Sequence, residues 1–385
     1  MHVDVDFDVD DRFSPVRRLL ADAAGPVFPG AVLLVARGEE TLLLEAVGRT
    51  ALPGTGLPAL PAAPDTVYDL ASLTKPLATT AVLMTLVADG RVRLDDPVGR
   101  WVPEVRGTGK EGLTLASLLA HSSGLPMWCP FAADIVTERG QVAAGTRDAR
   151  AYVARRIGEE PLEYPAGQGC AYSDLGFILL GWVVEAATGS GLDAAFRDRV
   201  ARPLGLARTF FVRVGVGVAS PPPVPRDEVA PTEFCPTRRR VLRGEVHDDN
   251  AWALGGVAGH AGLFGTATEV AAIVRAMLAA HLGGADGPFS PEVVRRFLAL
   301  ESSPPGTTRT LGFDTPSAQG SSAGTRPPPG LVGHLGFTGT SFWADPATGP
   351  HVVLLTNRVH PTRANEAIKD FRPALHDAVW AALAD

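Results

Sequence analysis

The stretch Ala71-Ser72-Leu73-Thr74-Lys75-Pro76 sets a serine three residues ahead of a lysine, where an apolar run begins. In a helix, residues three apart share a face, so the Ser72 hydroxyl and the Lys75 amine come within reach of each other. A hydroxyl beside an amine is the geometry of an activated nucleophile. Composition sharpens the reading, because the chain has 35 Lys plus Arg and only Lys75, Lys110 and Lys369 are lysines. An arginine at position 75 could never give up its proton. Fifteen serines and three lysines in 385 positions give about 0.1 such pairs by chance. The competing reading is a solvated helix start with an incidental lysine.

Working outward, Pro76 suits a first helical turn, whose amides lack helical partners. Leu77, Ala81, Met84, Leu86 and Val87 then make the run to Ala88 apolar on most sides, and Asp89-Gly90 ends it. Upstream, residues 12–24 have helical spacing, and the β-rich runs 31–36 and 41–47 flank a turn and read as a hairpin. Downstream, residues 113–119 read as a short helix leading into the hydroxyl-rich turn Ala120-His121-Ser122-Ser123-Gly124-Leu125-Pro126. A histidine in such a turn more often holds backbone groups than acts as a base. Residues 131–160 look helical and polar, a candidate lid.

Cys170-Ala171-Tyr172-Ser173-Asp174-Leu175-Gly176 enters a second buried helix, expected over 177–187. Tyr172 and Asp174 can face one cleft there, or Ser173 or Asp174 simply caps the helix and Tyr172 packs. Residues 214–236 and 302–329 are Pro/Gly-rich loops. Five glycines between Gly255 and Gly265 imply close backbone approach or unusual torsions. A helix is expected over 268–282 with Thr268 as cap, then strands near 330–334, 340–344 and 351–356, and a last helix over 363–384. Strands at both ends with helices between imply a single discontinuous α/β domain spanning 1–385. The sheet part covers about 12–70 and 265–385, with a helical insert at about 76–264.

The chain is 45% hydrophobic, enough to bury a large core, and its net charge of −7 gives no reason to expect nucleic acid or an anionic membrane as partner. Cys129, Cys170 and Cys235 are odd in number and widely spaced, so they read as free thiols. His247, Asp248 and His260 fit no standard metal spacing, and no cofactor is called for. Met1 to Asp11 alternates aspartates with apolar residues, unlike a secretory signal, and no run reaches the ~20 apolar residues of a membrane span. A cytoplasmic protein is the expectation.

Ser72-x-x-Lys75, then Tyr172-Ser173-Asp174, then His334-Leu335-Gly336 stand in an order that resembles the serine β-lactamase and penicillin-binding protein superfamily. The likeness is to its class C and carboxylesterase-like branch, with S-x-x-K, Y-x-N and K-T-G or H-T-G. It runs from about Gly30 to the final helix. Residues 121–126 are similar to that family's H-T-S-G-L-P turn, and residues 244–268 look most like penicillin-binding protein 4B-like serine hydrolases. The resemblance implies a β-lactamase/transpeptidase-like fold, an antiparallel sheet of N- and C-terminal strands flanked by helices.

By the same resemblance Ser72 is the nucleophile that forms an acyl-enzyme, Lys75 shares or removes its proton, and Tyr172 relays a proton to the leaving group. His334 adds positive or hydrogen-bonding character opposite Lys75. Gly336 belongs to the third motif, and the amides of Ser72 and Phe337 form the oxyanion site. Asp174 stands where the family has Asn, an acceptor that can hold Lys75 protonated, and Leu335 replaces a Thr. Both changes weaken antibiotic or D-Ala-D-Ala binding more than acyl transfer itself. Trp128, Phe337 and Trp343 are candidates to wall an apolar acyl pocket, with His121 a further substrate-binding candidate. The expected activity is hydrolysis of small esters or amides. The alternatives are a D,D-peptidase or β-lactamase acting on a peptidoglycan-like peptide or β-lactam, and a weakly catalytic penicillin-binding sensor.

Overall fold

The apolar runs from the two ends of the chain meet in one sheet. The computed structural model describes residues 11–215, 219–301, 304 and 306–384, so most of the acidic alternation at Met1–Asp11 lies outside the described residues. Strands β1 (Gly30–Arg37), β2 (Glu40–Gly48), β3 (Val332–Leu335), β4 (Ser341–Ala344) and β5 (Pro350–Thr356) are ordered β2-β1-β5-β4-β3, every pair antiparallel. β1 pairs with β5 from Ala31↔Thr356 to Arg37↔Pro350, which ties residue 31 to residue 356.

β1 is buried along all but its last residue. A strand covered on both faces reads as a continuous apolar run, and helices do lie on both sides here. Leu33, Val35, Trp343, Val352 and Leu354 pack with Val16 and Leu20 of the Ser14–Ala23 helix and with Leu375 and Val379 of the Ile368–Ala384 helix. Their neighbours in sequence, Val32, Leu34, Phe342, Val353 and Leu355, face the larger core with the helices Ala81–Ala88, Asp174–Thr188 and Ala267–His281. Each fully buried Leu, Val or Phe contributes about 1.5–3 kcal/mol, so this two-faced packing carries the fold.

Local signals explain most boundaries. Thr114 caps the Leu115–Leu119 helix and Ser173 caps Asp174–Thr188 through the Gly176 amide. Thr266, rather than Thr268, caps Ala267–His281 by accepting from Glu269 N–H. The last helix starts at Ile368, five residues later than the sequence suggests. The candidate lid is not one: helices Phe131–Arg139 and Arg147–Glu159 bury Phe131, Ile135, Tyr152, Val153 and Ile157 in the main core. The window Ala71–Ala88 is long and apolar enough to cross a membrane, but 83% of it is buried inside the protein. The three cysteines are free thiols, with only Cys170 exposed.

Candidate active site

Ser72 sits at a sharp turn between a short strand and a helix. Tyr68–Asp69 pairs with Leu263–Gly265, and the Leu70 amide donates to the Leu263 carbonyl. The chain then reverses through Ala71, whose φ of +48° is one that non-glycine residues rarely adopt. Asp69 holds this strained turn: its Oδ1 accepts from Ala71 N–H at 2.8 Å and its Oδ2 from His247 N–H at 2.6 Å. Burial pushes the Asp69 carboxyl above its usual range, with His247 and the two amides opposing. Beyond Ser72, Lys75–Thr80 forms wide π-helical turns before the regular Ala81–Ala88 helix, a local distortion often found at functional sites.

Lys75 is completely buried. Its Nζ donates to Ser72 Oγ at 3.0 Å and to the His260 carbonyl at 3.1 Å, and lies 2.7 Å from Asp174 Oδ1. Burial opposes the ammonium charge, but the Asp174 carboxylate and the Tyr172 oxygen outweigh it, so the Lys75 pKa is raised. Tyr172 OH donates to Ser72 Oγ at 2.8 Å, and its ring lies 4.7 Å below Lys75 Nζ. Burial, only partly countered by Lys75, raises the Tyr172 pKa. The serine oxygen is thus met by two proton carriers at hydrogen-bond distance.

Gly336 lets the third motif reach this turn. A Cβ there would lie 2.0 Å from Thr340 Oγ1 and 2.7 Å from the Leu70 carbonyl, so only glycine brings the end of β3 against the Ser72 segment. Thr338 and Thr340 hydroxyls donate to the Asp69 and Leu70 carbonyls and lock the two together. Phe337 follows, half exposed, with its ring stacked 5.6 Å from His247 and the Arg358 guanidinium 4.6 Å from its centroid. Gly259 makes a second close approach: a Cβ would lie 2.0 Å from the Phe177 carbonyl, and this contact carries His260 to Lys75.

Of the two histidines, His121 holds a backbone group as expected of its turn, and His334 sits in surroundings that oppose a charge. His334 is buried and donates from Nδ1 to the Leu335 carbonyl, which leaves Nε2 as an acceptor. Burial first, then the charges of Lys75 and Arg309, hold it well below the ordinary histidine range, so it offers a neutral ring 6.1 Å from that of Tyr172 and not a positive charge. His121 is buried behind Tyr172, rings 4.8 Å apart, and accepts from Ser173 N–H at 3.0 Å. It supports the tyrosine from the protein side. Trp343 is on the wrong face of the sheet, packed with the terminal helices, because the alternation of β4 turns it away from Phe342. Trp128 is 52% exposed beside Met127, whose carbonyl accepts from Asp174 N–H, so it stands at the rim of the site.

Arg309 gives no signal in its Pro/Gly/Ser loop. It is ion-paired with Asp314, which bridges to Gly333 of β3, and its guanidinium lies 5.7 Å from the Tyr172 ring. Asp174, Asp248 and His260 bring ligand-type atoms within 4.8 Å of one another, a grouping that could accept a cation, but the Lys75 ammonium already meets Asp174. A cavity of about 790 Å³ lies elsewhere, among Leu298, Pro316, Pro327 and Pro373.

A two-faced antiparallel sheet with a serine, a lysine and a tyrosine converging beside its edge strand defines the class: an acyl-transferring fold of the β-lactamase and penicillin-binding type. A sequence model of the Beta-lactamase family matches residues 16–374. A protein of Escherichia coli O157:H7, provisionally named D-alanyl-D-alanine carboxypeptidase, is 31% identical over 375 residues, covering 91% of this chain and 83% of that protein. The chain belongs to the β-lactamase family and is a serine hydrolase. Among solved structures, EstCE1, a hydrolase with promiscuous acyltransferase activity, superposes with a TM-score of 0.71 at 22% identity, covering 96% of this chain and 99% of that one. A penicillin-binding protein homologue from Caulobacter crescentus superposes with a TM-score of 0.69 at 22% identity, covering 97% and 98%. These two share the fold.

Proposed function

We propose that Ser72 attacks the carbonyl of small esters or amides and forms an acyl-enzyme that water then hydrolyses. The observation that carries this reading is the convergence of Lys75 Nζ (3.0 Å) and Tyr172 OH (2.8 Å) on Ser72 Oγ. Lys75 is protonated at rest, so it must lose a proton before it can accept one, and the carboxylate 2.7 Å away is its acceptor. The proton moves from Lys75 to Asp174, and the freed amine takes the Ser72 proton as Oγ bonds to the carbonyl carbon. The carbonyl π electrons go to the oxygen, which the Ser72 and Phe337 amides stabilise; each such donor is worth about 10²–10³ in rate. As the intermediate collapses, Tyr172 protonates the leaving group and is reprotonated through Lys75. Water deacylates the enzyme by the reverse transfers.

Exposed Met127, Trp128 and Phe337 around the cleft favour an apolar acyl group. A second reading, a peptide ending in a carboxylate, is favoured by the name of the 31%-identical relative and by Arg309 beside Tyr172. The test is p-nitrophenyl butyrate turnover by the protein and by Ser72→Ala, run beside labelling with a fluorescent penicillin and release of D-alanine from a D-Ala-D-Ala peptide. Ester turnover lost in Ser72→Ala supports the first reading, and D-alanine release supports the second. Stable penicillin labelling without turnover marks a sensor, and modification of Ser72 by none of these reagents defeats all three.

A further inference from the structure

Behind the Lys75–Asp174 pair lies a second pair that the acyl-transfer steps do not use. His260 Nε2 is 2.9 Å from Asp248 Oδ1, and His260 is 1% exposed. Asp248 has a structural duty, since its Oδ1 accepts from Ala251 N–H at 2.7 Å and caps the Asp249–Ala253 helix. A cap needs only an acceptor, and asparagine serves as well as aspartate. Capping therefore leaves the negative charge unexplained. That charge stands close to Asp174, with oxygen atoms of both carboxylates and a ring nitrogen of His260 all within 4.8 Å. Two carboxylates so close oppose each other's ionisation unless positive charge or hydrogen bonds offset the repulsion.

Lys75 serves Asp174. We propose that His260 is a positioning residue for acyl transfer: its ring, hydrogen-bonded to Asp248, offsets that carboxylate beside Asp174, and so keeps the Lys75 ammonium seated on Ser72. The same residue holds Lys75 from its main chain, through the carbonyl 3.1 Å from Nζ. Burial alone would raise the Asp248 carboxyl, but the His260 charge and hydrogen bond hold it well below the usual range. The other ionisable groups facing this cluster include Tyr172, His121 and His334 beside Lys75 and, beside Asp248, His247 and Asp69. Asp174, Asp248 and His260 thus act as one array of alternating charge reaching the nucleophile.

This inference rests on the Ser72–Lys75 reading, and one experiment separates the two. The pH dependence of kcat/KM for p-nitrophenyl butyrate is measured for His260→Gln, Asp248→Asn and the double variant, with Ser72→Ala as reference and thermal melting as a fold control. In His260→Gln the uncompensated Asp248 charge acts on the Lys75–Asp174 pair, so the acid limb moves up by about one pH unit. In Asp248→Asn, which keeps the cap, the limb moves down. In the double variant it returns to within about 0.5 of a unit of the parent. An unmoved acid limb in folded His260→Gln overturns the inference, as does a double variant no better than the single one. If His260→Gln does not fold, Asp248→Asn decides alone, and an upward or absent shift overturns the inference. Ester turnover persisting in Ser72→Ala overturns the Ser72–Lys75 reading itself.

Discussion

Lys75 and Arg372 are both buried cations, and they are held in opposite ways. Lys75 meets the Asp174 carboxylate, the Ser72 hydroxyl and one carbonyl. Among the described residues Arg372 meets carbonyls: its Nη2 donates to Gly336 O at 3.0 Å and Thr340 O at 2.7 Å, bracing the turn that carries Phe337. Burial, with a smaller contribution from Arg358, lowers the Arg372 pKa to about 9, which still leaves it charged at neutral pH. Lys75 moves the other way because a carboxylate outweighs its burial. The difference separates a cation placed to exchange a proton with its neighbours from one placed to be a fixed donor. Residue type alone does not make that distinction, since Lys110 is also buried and, among the described residues, donates to the Gly158 carbonyl.

Exchanging the two cations tests this directly. Lys75→Arg keeps the charge and removes the exchangeable amine, so kcat for an activated ester should fall by about 10³ or more. Arg372→Lys should keep kcat within a few-fold. A Lys75→Arg enzyme with near-normal kcat would erase the contrast. Tyr172→Phe removes the second proton carrier and should lower kcat by about 10²–10⁴, with little change in melting temperature.

Arg372→Met should instead cost stability, about 2–3 kcal/mol by urea unfolding, because two buried carbonyls lose their donor. The buried histidines make stability depend on pH in a defined window. Burial lowers His376 to about 4, so the unfolded chain binds the extra proton below pH ~6.5 and the folded one does not. Its contribution is complete above pH ~6.5 and is lost as pH falls toward 4, by up to about 3 kcal/mol. His376→Gln should flatten that slope, and an unchanged slope would show that His376 is charged in the folded state. The smallest effect is expected at the rim, where Phe337→Ala should raise KM a few-fold for butyrate esters and leave kcat nearly unchanged.

The sheet was legible because residues 31–36, 42–44 and 352–355 are short apolar runs bounded by turn residues, and the β1–β2 turn is local. Ser72, Lys75 and Tyr172 were legible because a three-residue spacing and an ordered pair of motifs survive without any knowledge of packing. Trp343, a candidate pocket wall though aromatics near a strand are more often core, was ambiguous for the opposite reason: which face of β4 it takes depends on register with β5, which no single strand encodes. Arg309 comes from an irregular loop, and only the fold brings it near Tyr172. His260 and Asp248 drew notice as metal-type residues twelve positions apart, yet their relation to Asp174 depends on a glycine-permitted contact between distant segments. His334 was read as adding positive or hydrogen-bonding character, and burial disfavours the positive form and leaves Nε2 as an acceptor.

The most direct test of the account is to find where the acyl group goes. The protein is mixed with p-nitrophenyl butyrate, quenched in acid within the first turnovers, digested and read by mass spectrometry. The account predicts a butyryl adduct on the peptide containing Ser72, with adduct and turnover both lost in Ser72→Ala. Turnover that survives in Ser72→Ala, or an adduct on another residue such as the exposed Cys170, would contradict it.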